Sequence, residues 1–147
     1  MIKFLSVAVL TVASLAAEAV PVCLAVTEDD ARSLIGPSAK RTKDPSACGW
    51  SNAGGKKQLN VATVGTPAPF ESFRAHSAQE GKTRTESGLG GAAFSSIPSA
   101  DHGSRAAIYL VNGPAILVVD IDGFAPGGAE EHLPQLRDLV RKLVPKH

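Results

Sequence analysis

Along this chain the apolar positions switch repeatedly between helical and strand spacing, and each switch predicts an element. Ala31, Leu34 and Ile35 recur at helical spacing behind Thr27-Glu28-Asp29-Asp30. Thr27 is placed to accept from the backbone N–H of Asp30, while three carboxylates crowd the positive end of the helix. Gly36-Pro37 ends the element. A helix this short with one apolar face must dock on something. Ser38 to Pro45 is polar and reads as a loop. Ala47 to Asn52 predicts a strand that puts Cys48 and Trp50 on one side. After a turn at Ala53-Gly54-Gly55-Lys56, Gln58 to Gly65 alternates Leu59, Val61 and Thr63 against Asn60, Ala62 and Val64, completing a hairpin.

Thr66-Pro67 predicts a helix cap followed by proline at the first helical position, with Phe70 and Phe73 on one face of a helix ending near Gln79. Glu80 to Arg84 is charged and expected to be exposed. Thr85 to Phe94 mixes glycine with Leu89, Ala92, Ala93 and Phe94, which predicts a short strand entering a tight turn. Ser95 to Ser104 reads as a loop. Two strong strands follow, Arg105 to Val111 and Ala115 to Ile121, either side of Asn112-Gly113-Pro114. The second is apolar at nearly every position, so it is expected at the centre of a sheet or covered on both faces. Phe124 to Gly128 is a turn. Leu133, Leu136, Leu139, Val140, Leu143 and Val144 form the stripe of a C-terminal helix, and Pro134 requires that helix to start just before it. The expected architecture is α+β: an antiparallel sheet of about four to five strands packed by two or three helices, in the order α-β-β-α-β-β-β-α, with one disulfide.

The N-terminus changes the cellular picture. Lys3 supplies a positive start, Phe4 to Ala16 is apolar apart from Ser6, Thr11 and Ser14, and Ala17-Glu18-Ala19 has the small residues of a cleavage site. Residues 1–19 therefore read as a secretory signal peptide and 20–147 as a single domain, exported to the periplasm or the extracellular space. The apolar run is shorter than the roughly 20 residues that span a membrane, so no transmembrane segment is expected after cleavage. A second reading makes this a lipoprotein anchored at Cys23. Against it, Val20-Pro21-Val22 lacks the small residue expected beside a lipidated cysteine, and Cys48 would be left unpaired.

Cleavage removes one cation, Lys3, and one anion, Glu18, and leaves the formal net charge at +1. Near-neutrality argues against nucleic acid as a partner, because phosphate binding needs a concentrated cationic face. The basic cluster Lys40-Arg41-Lys43 is short, is followed by Asp44-Pro45, and reads as a solvated loop. With few aromatic residues and much Ala, Gly and Ser, the core is modest, and a covalent staple would help it.

The candidate chemistry is sparse. In an oxidising compartment Cys23 and Cys48 are most simply one disulfide, worth roughly 3 kcal/mol by loop closure. Zinc would need more ligands at closer spacing. Ser95, Ser96, Ser99, Asp101 and His102 hold the ingredients of a hydrolase, but no Gly-x-Ser-x-Gly elbow accompanies them. Gly88, Gly90 and Gly91 suggest a phosphate cradle only weakly, since no parallel βαβ unit surrounds them; tight backbone packing explains them better. Asp120 and Asp122 share one face of a strand end, without the later glutamate of a calcium loop, and are expected to sit exposed and help turn the chain at Gly123. His76, His102, His132 and His147 are scattered. No cofactor or metal is expected.

Cys23 ahead of the helix Thr27-Glu28-Asp29-Asp30-Ala31-Arg32-Ser33-Leu34-Ile35-Gly36, then Cys48-Gly49-Trp50, then Leu89-Gly90-Gly91-Ala92-Ala93-Phe94, form a series that resembles a family of small exported bacterial lipoproteins and sensor-like domains of unknown function. The resemblance covers most of residues 20–144. It departs at Gly91, where the family often has an acidic residue, and in the sequence before Cys23. It implies export but no reaction.

The functional expectation is an exported, non-enzymatic binding or accessory domain of the bacterial cell envelope. Its partner would be a protein, an envelope component or a small apolar ligand, held in a cleft between helix and sheet lined by Trp50, Phe70 and Phe73. Trp50 is itself more simply a core residue beside the disulfide. The rival is a small envelope hydrolase using His102 with a nearby serine.

Overall fold

The computed structural model describes residues 25–42, 48–99 and 104–144. The element order is α1 (Glu28–Ile35), β1 (Lys40–Arg41), β2 (Cys48–Ser51), β3 (Gln58–Val64), α2 (Phe70–Glu80), β4 (Gly81–Glu86), β5 (Ala93–Pro98), β6 (Ser104–Asn112), β7 (Ala115–Phe124), α3 (Gly128–Glu131) and α4 (Leu133–Leu143). The strands form one antiparallel sheet of seven, ordered β1-β2-β3-β7-β6-β5-β4. The class is α+β, but the expected count of four to five strands, and with it the order α-β-β-α-β-β-β-α, is wrong.

Three local departures account for the difference. Lys40 and Arg41, expected in a loop, form the short edge strand β1 and remain exposed. The charged stretch after α2 is the opposite edge strand, β4. Its Lys82 and Arg84 reach Glu130 of α3, and Glu86 turns into the core side. The serine-rich stretch expected as a loop supplies β5, with Ser95 and Ser96 buried between β4 and β6. A further short helix, α3, precedes α4. Helix α2 starts at Phe70 rather than at Pro67, because the Thr66 hydroxyl caps only the Ala68 N–H of the preceding turn.

Other elements form for the reasons legible in the chain. At α1 the Thr27 hydroxyl accepts from Asp30 N at 3.2 Å, and the Asp30 carboxylate accepts from Thr27 N at 2.8 Å, a reciprocal capping box. Asp30 also pairs with Lys142 of α4, which ties the two helices together. Burial works against the charge on Asp30, but Lys142 and the Thr27 donors outweigh it and hold the carboxyl below its ordinary range. Pro134 falls in the first turn of α4, where its missing N–H costs nothing.

The register sorts the side chains into two layers. Trp50, Leu59, Val61, Leu117, Val119, Ile121, Ala106, Ile108 and Leu110 face α1, α3 and α4 and make the main core with Leu34, Ile35, Leu136 and Val140. On the other face, Phe94 and Ile116 pack with Phe70 under α2. Strand β7 is central, between β3 and β6, as its apolar run predicts. Helix α2 packs mainly on β4 and β5, reaches Tyr109 of β6 through Phe73, and meets β7 through Phe70 at Ile116.

Cys48 opens β2 in a disulfide, and no cysteine among the described residues is free. Cys23, its expected partner, lies outside the described residues, as do the expected signal peptide, Asp101, His102 and His147. No helix among the described residues is long and apolar enough to cross a membrane.

Candidate functional site at the margin of the second helix

Cross-strand pairing divides the α2 face of the sheet into an apolar and a polar half. One row runs Ala62, Val118, Tyr109, Phe94, and the row beside it runs Asn60, Asp120, Ala107, Ser96. The Phe70 ring meets Phe94 edge-on at 5.3 Å. Phe94 stacks flat on Tyr109 at 4.6 Å, and Phe73 tilts over Tyr109 at 5.8 Å. Each such pair adds about 0.5–1.5 kcal/mol beyond the area it buries. Tyr109 is thus a fixed platform that remains half-buried at the edge of α2.

Where α2 ends, a pocket of about 200 Å³ opens between helix and sheet. Phe73 and Tyr109 form its apolar wall; His76, Glu80, Ser96 and Arg105 supply polar groups. His76 and Glu80, one helical turn apart on α2, lie 3.2 Å from each other.

Arg105 owes its position to an irregularity. Ser104 pairs with Phe124 but Ala106 pairs with Ile121, so β7 carries one extra residue at Asp122-Gly123. Gly123 has φ +83°, the left-handed conformation that a bulge of this type demands. Opposite the bulge, Arg105 Nε donates to Asp120 Oδ2 at 3.2 Å. Asn60 lies directly across from Asp120 on β3, and its amide favours the charged form of the same carboxylate. Asn60 in turn occupies the space over Gly49: a Cβ there would stand 3.3 Å from its Oδ1.

Asp120 sits uneasily in this network. Its side chain is only 12% exposed, against 44% for Arg105. Burial pushes its carboxyl above the ordinary range despite the pull of Arg105 and Asn60, and the nearby Asp122 pushes the same way. This corrects the expectation of two exposed carboxylates. Only Asp122 is exposed and serves the turn, accepting from Gly123 N at 2.6 Å.

The residues singled out in the sequence do not form one cleft. Phe70 and Phe73 lie under α2 with Phe94 and Tyr109, but Trp50 belongs to the main core on the opposite face and is only 8% exposed. Ser95 and Ser96 are adjacent in a strand and therefore point to opposite faces; Ser95 is 1% exposed in the main core and Ser96 faces the pocket. Gly91 is a close-packing position, since a Cβ on it would stand 2.2 Å from the Val111 carbonyl oxygen. His132 stacks obliquely on Phe124 at 4.9 Å, far in the fold from the α2 face. Among the described residues no three His, Cys, Asp or Glu side chains converge as a metal set.

Arg105 and Tyr109 escaped the sequence reading, each being an unremarkable strand residue on its own, and Asp120 reads there only as a weak cation ligand expected to be exposed. The one available signal was Asp-Ile-Asp-Gly at the end of an apolar strand, where a charged residue flanks a bulge glycine. Comparison with family models, with curated proteins and with solved structures finds no match for this chain.

Proposed function

We propose that this chain is an exported, non-enzymatic binding or accessory domain of the bacterial cell envelope, and that its ligand docks in the pocket at the α2 margin. The observation that carries this reading is Arg105, which lines the pocket with Tyr109 and Phe73 and is held there by its bond to the desolvated Asp120. A buried charge with a raised pKa lowers stability, and such groups concentrate where a fold needs them for recognition or chemistry. Export is supported by the Lys3 to Ala19 pattern and by a disulfide at Cys48. Anchoring through Cys23, and kinship with the small exported bacterial domains that the chain resembles, stand as part of the same proposal.

The hydrolase reading is the weaker one. Its base, His102, lies outside the described residues, and of the two strand serines Ser95 is sealed in the main core, which leaves only Ser96 open to a pocket.

The test is recovery of the protein from its native envelope, with intact-mass determination of its N-terminus and native mass spectrometry of what stays bound. A mature start at Val20 with a co-purifying ligand lost on Arg105 substitution is expected. A mature protein that retains residues 1–19, or a retained ligand indifferent to Arg105, would overturn the reading.

A further inference from the structure

The walls of the α2 pocket narrow the class of ligand. Tyr109 is held flat against Phe94 and flanked by Phe73, so a ring entering the pocket meets a rigid aromatic surface. The opposite lining carries donors and acceptors of both signs: Arg105 and His76 against Glu80, with Ser96 able to do either. The permanent cation of this lining, Arg105, is already offset by Asp120. His76 faces Glu80, so no unpaired cation is left to select an anion. A wholly apolar ligand fits no better, because it would strip water from Arg105, Glu80 and Ser96 without replacing their hydrogen bonds. A neutral ring with one C–H face and a rim of hydroxyls satisfies both walls together.

Resting on the reading of this margin as the binding place, we infer that the pocket between α2 and β5–β6 binds one neutral sugar ring, stacked on Tyr109 and Phe73, with its hydroxyls on Arg105, Glu80 and Ser96. At about 200 Å³ the pocket is smaller than the roughly 300 Å³ at which drug-sized sites begin, which suits a single ring. Planar Arg and Glu groups can each engage two neighbouring hydroxyls, a geometry a lysine in place of Arg105 would lose. The network Gly49–Asn60–Asp120 then acts to position Arg105 and does not touch the sugar.

The experiment is an NMR titration of the isotope-labelled, oxidised protein with glucose, mannose and N-acetylglucosamine, with soluble oligosaccharides of each, and with benzoate and indole as anionic and apolar probes. Saturable shifts at Phe73, His76, Arg105 and Tyr109 with at least one sugar are expected. Arg105→Lys and Phe73→Ala should each weaken that binding about tenfold or more, equivalent to about 1.4 kcal/mol, while Asp29→Asn on α1 leaves it unchanged. Should Phe73→Ala not fold, the milder Arg105→Lys carries the comparison. Oligosaccharides binding more tightly than single sugars would identify a glycan chain as the source, and equal affinity a free sugar; both support the inference. Saturation by benzoate or indole with no response to any sugar overturns the sugar assignment but keeps the binding site. Silence of these residues toward every probe overturns both.

Discussion

Arg137 of α4 grips Glu86 of the edge strand β4 with two parallel bonds, Nε to Oε2 at 2.6 Å and Nη2 to Oε1 at 2.9 Å. The glutamate side chain is 7% exposed and the arginine 27%, so the pair is shielded from screening by solvent. The pair fastens the last helix to the far edge of the sheet. The guanidinium holds the Glu86 carboxyl below its ordinary value of 4.5, against the opposing effect of burial.

Breaking the pair from the arginine side should therefore be costly. Arg137→Ala leaves a desolvated carboxylate behind and is expected to destabilise by about 3 kcal/mol at neutral pH. Because the folded pKa of Glu86 is depressed, its contribution is fully present above pH 4.5 and is lost as pH falls through the depressed value. Chemical denaturation across pH should show the gap between wild type and Arg137→Ala closing in acid. A gap that stays constant down to full protonation would show that packing, not charge, sets the cost.

Asp120 should behave in the opposite sense. Its folded pKa is raised above the ordinary 3.8, so the folded state binds the proton more tightly and stability falls as pH rises from 3.8 through the raised value. Asp120→Asn removes the penalty while keeping the shape, and the half-exposed Arg105 can return to water. A gain of about 1 kcal/mol at pH 7 is expected, vanishing at low pH where Asp120 itself is neutral. Arg105→Gln should do the reverse, costing about 1–3 kcal/mol at pH 7 by leaving the carboxylate with Asn60 alone. Thermal melts of the three proteins at pH 3 and pH 7 decide it. A loss of stability in Asp120→Asn at neutral pH would mean that the ion pair is structural.

Much of the fold is written locally, and what failed to show is non-local. The capping box of Thr27 and Asp30, the stripe of α4 and the apolar run of β7 depend on near neighbours in sequence, and each can be read from spacing alone. Strand β4 could not be recognised this way. Lys82 and Arg84 read as a solvated stretch until Glu130 supplies their partner, and Glu86, read at the start of a short strand running to Phe94, ends β4 against Arg137 far along the chain. Ser95 and Ser96 suggest a loop for the same reason: small hydroxyl residues lose their turn preference when strands flank them on both sides. The site was hidden more deeply still. Which face each helix covers separates Trp50 from Phe70 and Phe73, and a one-residue bulge brings Arg105 to Asp120.

That bulge offers a sharp test of backbone geometry. Gly123 combines φ +83° with a neighbour that leaves no room, since a Cβ there would fall 1.6 Å from the Lys56 carbonyl oxygen. Gly113, in the β6–β7 turn, has φ +58° and nothing within 4 Å of the same position. Gly113→Ala should thus cost only the left-handed backbone, about 1 kcal/mol. Gly123→Ala must also displace the β2–β3 turn, and a loss of more than about 3 kcal/mol is expected. Equilibrium unfolding of the two variants compares them directly. Equal losses would mean that the Lys56 turn yields easily and that the bulge is not fixed by it.

The disulfide at Cys48 sits where a staple has the most to hold. Strand β2 is short and, among the described residues, is flanked outward by just the two residues of β1, so this side of the sheet has little hydrogen bonding to retain it. Cys48 also shares its face with Trp50, and both pack in the main core beside α1. With Cys23 as its partner, the bond would close the chain around α1 and β1, and a loop of that length is worth roughly 3 kcal/mol through the unfolded state. Thiol titration of the unfolded, unreduced protein is expected to find no free thiol. Reduction should then lower the unfolding free energy by about that amount, with hydrogen exchange rising first in β2 and α1 and last in β6 and β7. Two titratable thiols per chain would refute the pairing, and uniform loss of protection across the sheet would refute the idea that the staple serves its weak edge.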